Sequence, residues 1–389
     1  MASIDVSDDS TKYQDEYDEE VLEDGIEDLD IQDDGDDANG DKKQPKANNQ
    51  SSSLVKQFVS SKQPFYKMSL PIKFSEPRSL LEKFTDMGLF LDIFLNASKI
   101  ESEENRFLEV LKFYISGWIQ QREAKNPFNP VIGEVHTCKW VHKDGSTTQY
   151  IAEQISHHPP SSAFCFHNKD QGVVFHSYLS PSSKFSGNSF ESSMDGKLVY
   201  EFPNLDEEYI AEAPKIVVRG VVVGSLSTEV TGSTTLNCKK TGYYAEIEFK
   251  GKGLFKNKNS LIAKVRHPSS KKSLYTLEGK WDGTVIILNS KSNSSTLFLD
   301  IKNDGLEPIL PDEDEQQDNF SRKVWKNVIS NINKGNSDEA QNHKHNVEEN
   351  QRALAKAREG KQWVPVHFNK SENTFHHEKL SEIRKSMKN

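Results

Sequence analysis

The chain has 389 residues, of which 34% are hydrophobic, and its mean hydropathy is −0.73. That leaves room for two average domains or for one large barrel with tails, and too little apolar content for every segment to enter a core. Residues 1–41 hold 18 Asp or Glu against Lys12, a local charge of −17, so the whole-chain charge of −10 leaves +7 on residues 42–389, a mildly basic body suited to an anionic partner.

In chain order, residues 1–50 read as a disordered acidic tail and polar linker, because a segment so charged and so poor in aromatics repels itself. This N-terminus has neither the basic nor the apolar region of a signal peptide, and no apolar run approaches the roughly 18 residues that span a bilayer. The expectation is a cytosolic protein that meets membranes only peripherally and transiently. Residues 51–72 follow, with the short amphipathic stretch Leu54, Val55, Phe58 and Val59, a small helix able to cover something. Glu76 to Phe84 and Asn105 to Gln121 carry apolar residues at helical spacing, Phe107, Val110, Leu111, Tyr114 and Ile115 in the second.

From about Val131 to Ile301 the pattern changes to short β-rich runs between Gly, Asn, Ser and Pro: Gln149–Ala152, Val173–Phe175, Ile216–Val223, Tyr243–Phe249 and Thr284–Leu288. Regularly spaced short strands imply an antiparallel sandwich or barrel. Alternation such as Ala245-Glu246-Ile247-Glu248-Phe249 sends one face to a core or lumen and the other to water. Helix returns at Ser321–Asn333, with Val324, Trp325, Val328 and Ile329 on one face, and at Ser337–Arg358, rich in charge and Ala. Cys138, Cys165 and Cys238 are widely spaced and odd in number, which points to reduced core thiols.

Two sequence segments stand out. Glu153-Gln154-Ile155-Ser156-His157-His158-Pro159-Pro160 places two imidazoles before a stiff Pro-Pro step; on its own it is either a rigid strand end or a fixed pair of hydrogen-bond donors for a phosphate. Adjacent histidines diverge too much to share a metal, and neither a GxSxG elbow nor a P-loop appears, so no enzyme, metal or cofactor is expected. Lys344, Glu348 and Arg352, four residues apart, share one helix face as a salt-bridge ladder or as part of a site.

The octapeptide resembles the EQ(V/I)SHHPP fingerprint of the oxysterol-binding protein family. Asn126-Pro127-Phe128-Asn129-Pro130-Val131-Ile132-Gly133-Glu134 is similar to that family's KPxNPxLGE stretch, and Lys344, Glu348 and Arg352 resemble its K-x3-E-x3-R segment. Gly251 to Asn259 and Gly279 to Gly283 fall where the family has similar strands and turns. The likeness runs from about Ser53 to Lys370, which implies a short form made of the ligand domain, 73–370, with a charged tail at 371–389. It implies a mainly β fold with flanking helices: an incomplete antiparallel β-barrel around a lipid tunnel, an N-terminal lid (Leu54, Val55, Phe58, Val59) and C-terminal helices.

The ligands so implied are a sterol or another single lipid and phosphatidylinositol 4-phosphate, exchanged between membranes with anionic surfaces; nucleic acid is not among them. A sensor or scaffold that holds the same ligands without moving them is the alternative. His157, His158, Asn129, Lys344, Glu348 and Arg352 would bind the head group, Glu348 orienting Lys344 and Arg352 or accepting from inositol hydroxyls. One departure stands out. Where the family has Lys before the first Pro, this chain has Asn126, with Lys125 one position earlier. A one-residue slip on a strand turns a side chain to the other face, so Lys125 takes over only if the backbone is irregular there.

Overall fold

A computed structural model describes residues 72, 75–122, 125–186, 188–220, 227–251, 259–301, 305–371 and 374–388, which lie within one compact unit spanning 61–389. The proposed acidic tail, the lid residues Leu54, Val55, Phe58 and Val59, and most of Gly251–Asn259 fall outside the described residues.

The chain enters on strand β1 (Ser75–Ser79), then α1 (Leu80–Lys83), a 3-10 turn, α2 (Leu91–Ala97) and α3 (Glu103–Ser116). The helix expected over 76–84 is therefore strand in its first half, up to Ser79, and helix only from Leu80. Pro77 lacks the N–H a helix interior needs, and Ser79 caps the helix that does form by accepting from the Leu81 amide at 3.3 Å. After β2 (Asn126–Phe128), which pairs with β1 in parallel, the antiparallel strands follow in order. They are β3 (Val135–Val141), β4 (Thr147–His157), β5 (Pro160–Asn168), β6 (Val173–Ser186), β7 (Ser189–Phe202), β8 (Glu207–Ala211), β9 (Lys215–Arg219) and β10 (Ser227–Cys238). Next come β11 (Tyr244–Lys250), β12 (Ser260–Arg266), β13 (Tyr275–Lys280), β14 (Thr284–Asn289) and β15 (Ser294–Asp300).

These form one 13-stranded sheet in near-sequential order, with β9 paired to both β7 and β10, and β3 and β15 at its ends. Along β11, Ala245, Ile247 and Phe249 are buried while Glu246 and Glu248 are exposed, the alternation read from the sequence. Strands from both ends of the sheet bury their inner residues in one core with α2 and α3: Trp140 and Phe166 from one side, Val285 and Leu299 from the other, Phe94 and Phe113 from the helices. The gap between the end strands is covered by the segment after β15. Ile309 exchanges backbone hydrogen bonds with Lys139 of β3 at 3.0 and 2.7 Å, and the Leu306 amide donates to Leu89 at 2.7 Å. The result is an incomplete antiparallel barrel whose core takes in residues of α2 and α3.

The C-terminal part holds α4 (Ser321–Val324), α5 (Lys326–Asn333), α6 (Ser337–Ala357), the hairpin β16 (Phe368–Ser371) with β17 (Thr374–His377), and α7 (Leu380–Met387). The single helix expected over 321–333 breaks at Trp325, whose φ of −98° and ψ of 7° leave the helical region. The charged tail expected at 371–389 is also corrected. All nine residues of β5 are buried, because Phe164 and Phe166 face the barrel core while Ala163 and Cys165 face outward and need a cover. Leu380, Ile383 and Met387, at helical spacing on α7, supply it together with Phe368. Arg384 fixes the helix by two hydrogen bonds to buried Glu201, one of them 2.7 Å long. Cys138, Cys165 and Cys238 are free and buried.

Candidate functional site

The fingerprint octapeptide ends β4, turns, and begins β5. The ladder between the two strands shifts register between Gln154 and Ser156, so the last residues of β4 leave the regular alternation. The turn contains a cis His158–Pro159 peptide and is braced from within. Ser156 Oγ donates to the Pro159 carbonyl at 2.7 Å and Gln154 Nε2 to the Ser156 carbonyl at 2.8 Å. His157 is half-buried and His158 exposed, their rings 4.6 Å apart at 61°. Burial, the neighbouring His158, and the charges of Arg358 and Arg352 lower the His157 pKa to about 4, against a hydrogen bond to the Pro130 carbonyl that raises it. Its Nδ1 is buried and has no partner among the described residues.

The Asn-Pro segment lies directly beside this turn. The Gly133 amide donates to the Gln154 carbonyl, and the Gln154 amide to the Glu134 carbonyl, both at 2.9 Å. Gly133 has a φ of +74°, and a Cβ there would stand 2.5 Å from the Trp363 ring, so only glycine fits. The fully buried Glu134 carboxylate accepts from the Val131 amide at 3.0 Å, Trp325 Nε1 at 2.9 Å and Ser321 Oγ at 2.7 Å, fastening this loop to α4 and α5. Burial pushes its pKa up in spite of these donors. Asn129 is exposed at the end of β2, while Phe128 behind it stacks on Trp325 at 4.7 Å. Lys125 is exposed and Asn126 half-buried; the β1–β2 ladder is irregular between Ser75 and Ser79 on the β1 side, opposite Asn126 and Phe128.

Helix α6 crosses above the Asn-Pro loop. Gln351 Oε1 accepts from the Ile132 amide at 3.2 Å. Lys344 is buried, with its pKa lowered by desolvation, and its Nζ lies 3.5 Å from Glu348 Oε1. Arg352 is exposed and pairs with Glu349.

All eight residues named from the sequence, His157, His158, Asn129, Lys125, Asn126, Lys344, Glu348 and Arg352, border one cavity of about 1360 Å³. Its other walls include Tyr178, Phe190, Met194, Ile216 and Val218 from β6, β7 and β9. Polar and cationic residues thus share the cavity's lining with apolar ones. Sequence reasoning missed three contributors. Gln351 sits one turn from Glu348 on the same helix face and keeps Nε2 buried without a partner among the described residues. Arg358 borders the cavity two turns beyond. Glu153, the first residue of the fingerprint, points away from the cavity and accepts from the backbone of Val366 at 2.9 Å and His367 at 2.8 Å and from Trp363 Nε1 at 3.3 Å. The helical spacing of Gln351 was the one signal that could have been used.

Among the described residues no helix is long and apolar enough to cross a membrane. A family model described as "Oxysterol-binding protein" matches residues 52–333 and 329–388. Oxysterol-binding protein 10 of Dictyostelium discoideum is 61% identical over 398 residues, covering 99% of both chains. Other relatives are longer; at 36% identity the chain spans 34% of a human one. Among solved structures, the Osh1 ORD domain in complex with cholesterol is similar at a TM-score of 0.73 with 22% identity, covering 86% of this chain and 88% of that one. The Osh3 ORD in complex with PI(4)P from Saccharomyces cerevisiae gives a TM-score of 0.70 with 22% identity, covering 87% and 92%. The fold, the paired motifs and these likenesses agree, and the chain belongs to the oxysterol-binding protein family.

Proposed function

We propose that this chain is a lipid-transfer protein that takes a sterol or similar lipid and phosphatidylinositol 4-phosphate from membranes into one cavity and exchanges them, with no covalent step. The observation that carries this reading is the continuity of the cavity, apolar at Phe190, Met194, Ile216 and Val218 and polar at His157, Lys344 and Arg352. An apolar interior lets lipid tails leave the bilayer without meeting water, offsetting about 0.8 kcal/mol per CH2. The polar mouth selects the head that follows.

In this reading His157, His158 and Asn129 offer hydrogen bonds to the phosphate, and Lys344, Arg352 and Lys125 supply charge. Glu348 holds Lys344 and would accept from inositol hydroxyls. A cytosolic protein touching anionic membranes transiently fits both ligands; the residues of the lid that the resemblance implies, Leu54, Val55, Phe58 and Val59, lie outside the described residues.

The test is transfer between liposomes by purified full-length protein. Net movement of sterol that accelerates when phosphatidylinositol 4-phosphate is present in the acceptor supports exchange; tight binding without movement makes the protein a sensor. His157→Ala with His158→Ala should abolish extraction of the phosphoinositide, a loss of about 1.5 to 3 kcal/mol per donor removed, while sterol binding survives. Equal loss of both ligands with a lowered Tm would make the histidines structural.

A further inference from the structure

The segment that follows α6 displays apolar side chains where a chain of this composition would be expected to hide them. Val364 is 78% exposed, Val366 60% and Leu354, on the last turns of α6, 52%. These are three of the most exposed large hydrophobic residues described, and they fall within thirteen positions of one another. Flexible display is not the cause. The Arg358 amide donates to the Leu354 carbonyl at 3.2 Å and the Lys361 amide to Arg358 at 2.9 Å, and the chain reverses through Glu359 and Gly360, with φ of 51° and 78°. Beyond the reversal, Glu153 accepts from the Val366 and His367 amides and from Trp363 Nε1, while the Trp363 ring packs on Gly133. The strap is clamped along its inner side to both signature motifs, and its valines are presented outward.

Their surroundings are cationic. Between positions 352 and 370 stand Arg352, Lys356, Arg358, Lys361 and Lys370 against the single acid Glu359. Lys356 and Lys361 are exposed. The strap also borders the cavity, through Gly360, Lys361, Trp363, Val364 and Pro365. Exposed aliphatic groups ringed by cations at the edge of a lipid-sized cavity match the boundary of an anionic bilayer, where apolar side chains sink to the acyl-chain level and Lys and Arg remain among the phosphates. A protein partner would need neither the one-sided charge nor the continuity with the cavity.

We infer that Leu354, Val364 and Val366, on the last turns of α6 and the clamped strap, form a wedge that seats in an anionic lipid surface and sets the cavity mouth against it. This deepens the lipid-transfer reading and rests on it. Because the strap is fastened by Glu153, seating the wedge fixes the distance between the membrane and the His157–His158 turn, so a head group released from the bilayer meets its site without a further rearrangement.

The test uses the full chain and vesicles of phosphatidylcholine with or without phosphatidylserine. Leu354→Ser with Val366→Ser, neither of which borders the cavity, should weaken flotation with phosphatidylserine vesicles by about tenfold. Affinity for a short-chain, water-soluble phosphatidylinositol 4-phosphate and the Tm should both stay unchanged. Val364→Trp should tighten vesicle binding, since indole favours the interface, and high salt should remove the advantage of phosphatidylserine. Vesicle binding that is unaltered in both variants would assign the strap to another partner and overturn the inference. Failure of the unmodified protein to bind the soluble phosphoinositide would instead undo the functional reading, leaving the flotation result to judge the wedge separately.

Discussion

Protonation is where the residue scale is most readily tested. His157 gives one ring hydrogen bond to Pro130, so its unpartnered Nδ1 can donate to a phosphate only when the ring takes a second proton. In the empty site that proton binds only near pH 4, and a phosphate pulls the value up. Binding then takes up a proton, and affinity for the phosphoinositide should fall by up to about tenfold per pH unit as pH rises from 7 to 8, above the second phosphate pKa near 6. Calorimetry in buffers of different ionisation heat would read the proton directly. A flat profile would mean the neutral ring donates through Nδ1. His136 is a second case of a different kind: it is fully buried on β3, stacked 5.0 Å from Phe320, with both nitrogens unpartnered among the described residues. Burial, with the charges of Arg322 and Arg78, lowers its pKa to about 3. An unfolded histidine takes its proton near 6.5, so between 6.5 and 3 the unfolded chain binds more protons and stability drops on acidification. His136→Phe should raise stability by about 1 kcal/mol and flatten that acid limb in urea titrations.

At the scale of elements, the acids of the two signature motifs act as fasteners. Glu134 ties the Asn-Pro loop to α4 and α5, and Glu153 ties the strap beyond α6 to β4. Removing Glu153 strands two amides and an indole N–H in a largely buried place. Glu153→Ala should therefore cost about 2 to 4 kcal/mol in denaturant unfolding and weaken phosphoinositide and vesicle binding together, while Glu153→Gln, which keeps one acceptor oxygen, should lose less. Loss of stability with both affinities intact would show that the strap has no bearing on the mouth. The helix α6 that carries Lys344, Glu348 and Arg352 is placed in the same manner, by Gln351 on Ile132, since Ala340 is its only fully buried apolar residue among those described.

For the molecule as a whole, the two ends of the chain should behave oppositely. Residues 1–45 carry too little apolar surface to bury, and their deletion should leave lipid affinity unchanged. Loss of extraction with the fold intact would assign them to the lid. Truncation after Ser371 should be severe. It uncovers Ala163, Cys165 and Val174 and removes Leu380, Ile383 and Met387 from their core. It also frees Glu201, which burial pushes up but which His176 and Arg384 hold down to about 2. A cost of about 5 kcal/mol or outright insolubility is expected; a truncated protein with unchanged Tm would show that this core is dispensable.

Strand alternation such as that of β11, the helical face of α3 and the two motifs were legible in the sequence because each depends on spacing within a few residues, where backbone geometry sets which side chains share a face. Residues that border the cavity could be named from the sequence too, through resemblance of motifs. Their meeting was decided by the tertiary structure alone: β4 and α6 lie almost 200 residues apart, and long-range hydrogen bonds of Gly133, Gln154, Ile132, Glu134 and Glu153 bring them to one cavity. The same limit hid the fate of the C-terminus. Leu380, Ile383 and Met387 look sparse among Lys and Glu until the outer face of β5 demands a cover, and burial is a property of the partner surface as much as of the segment that meets it.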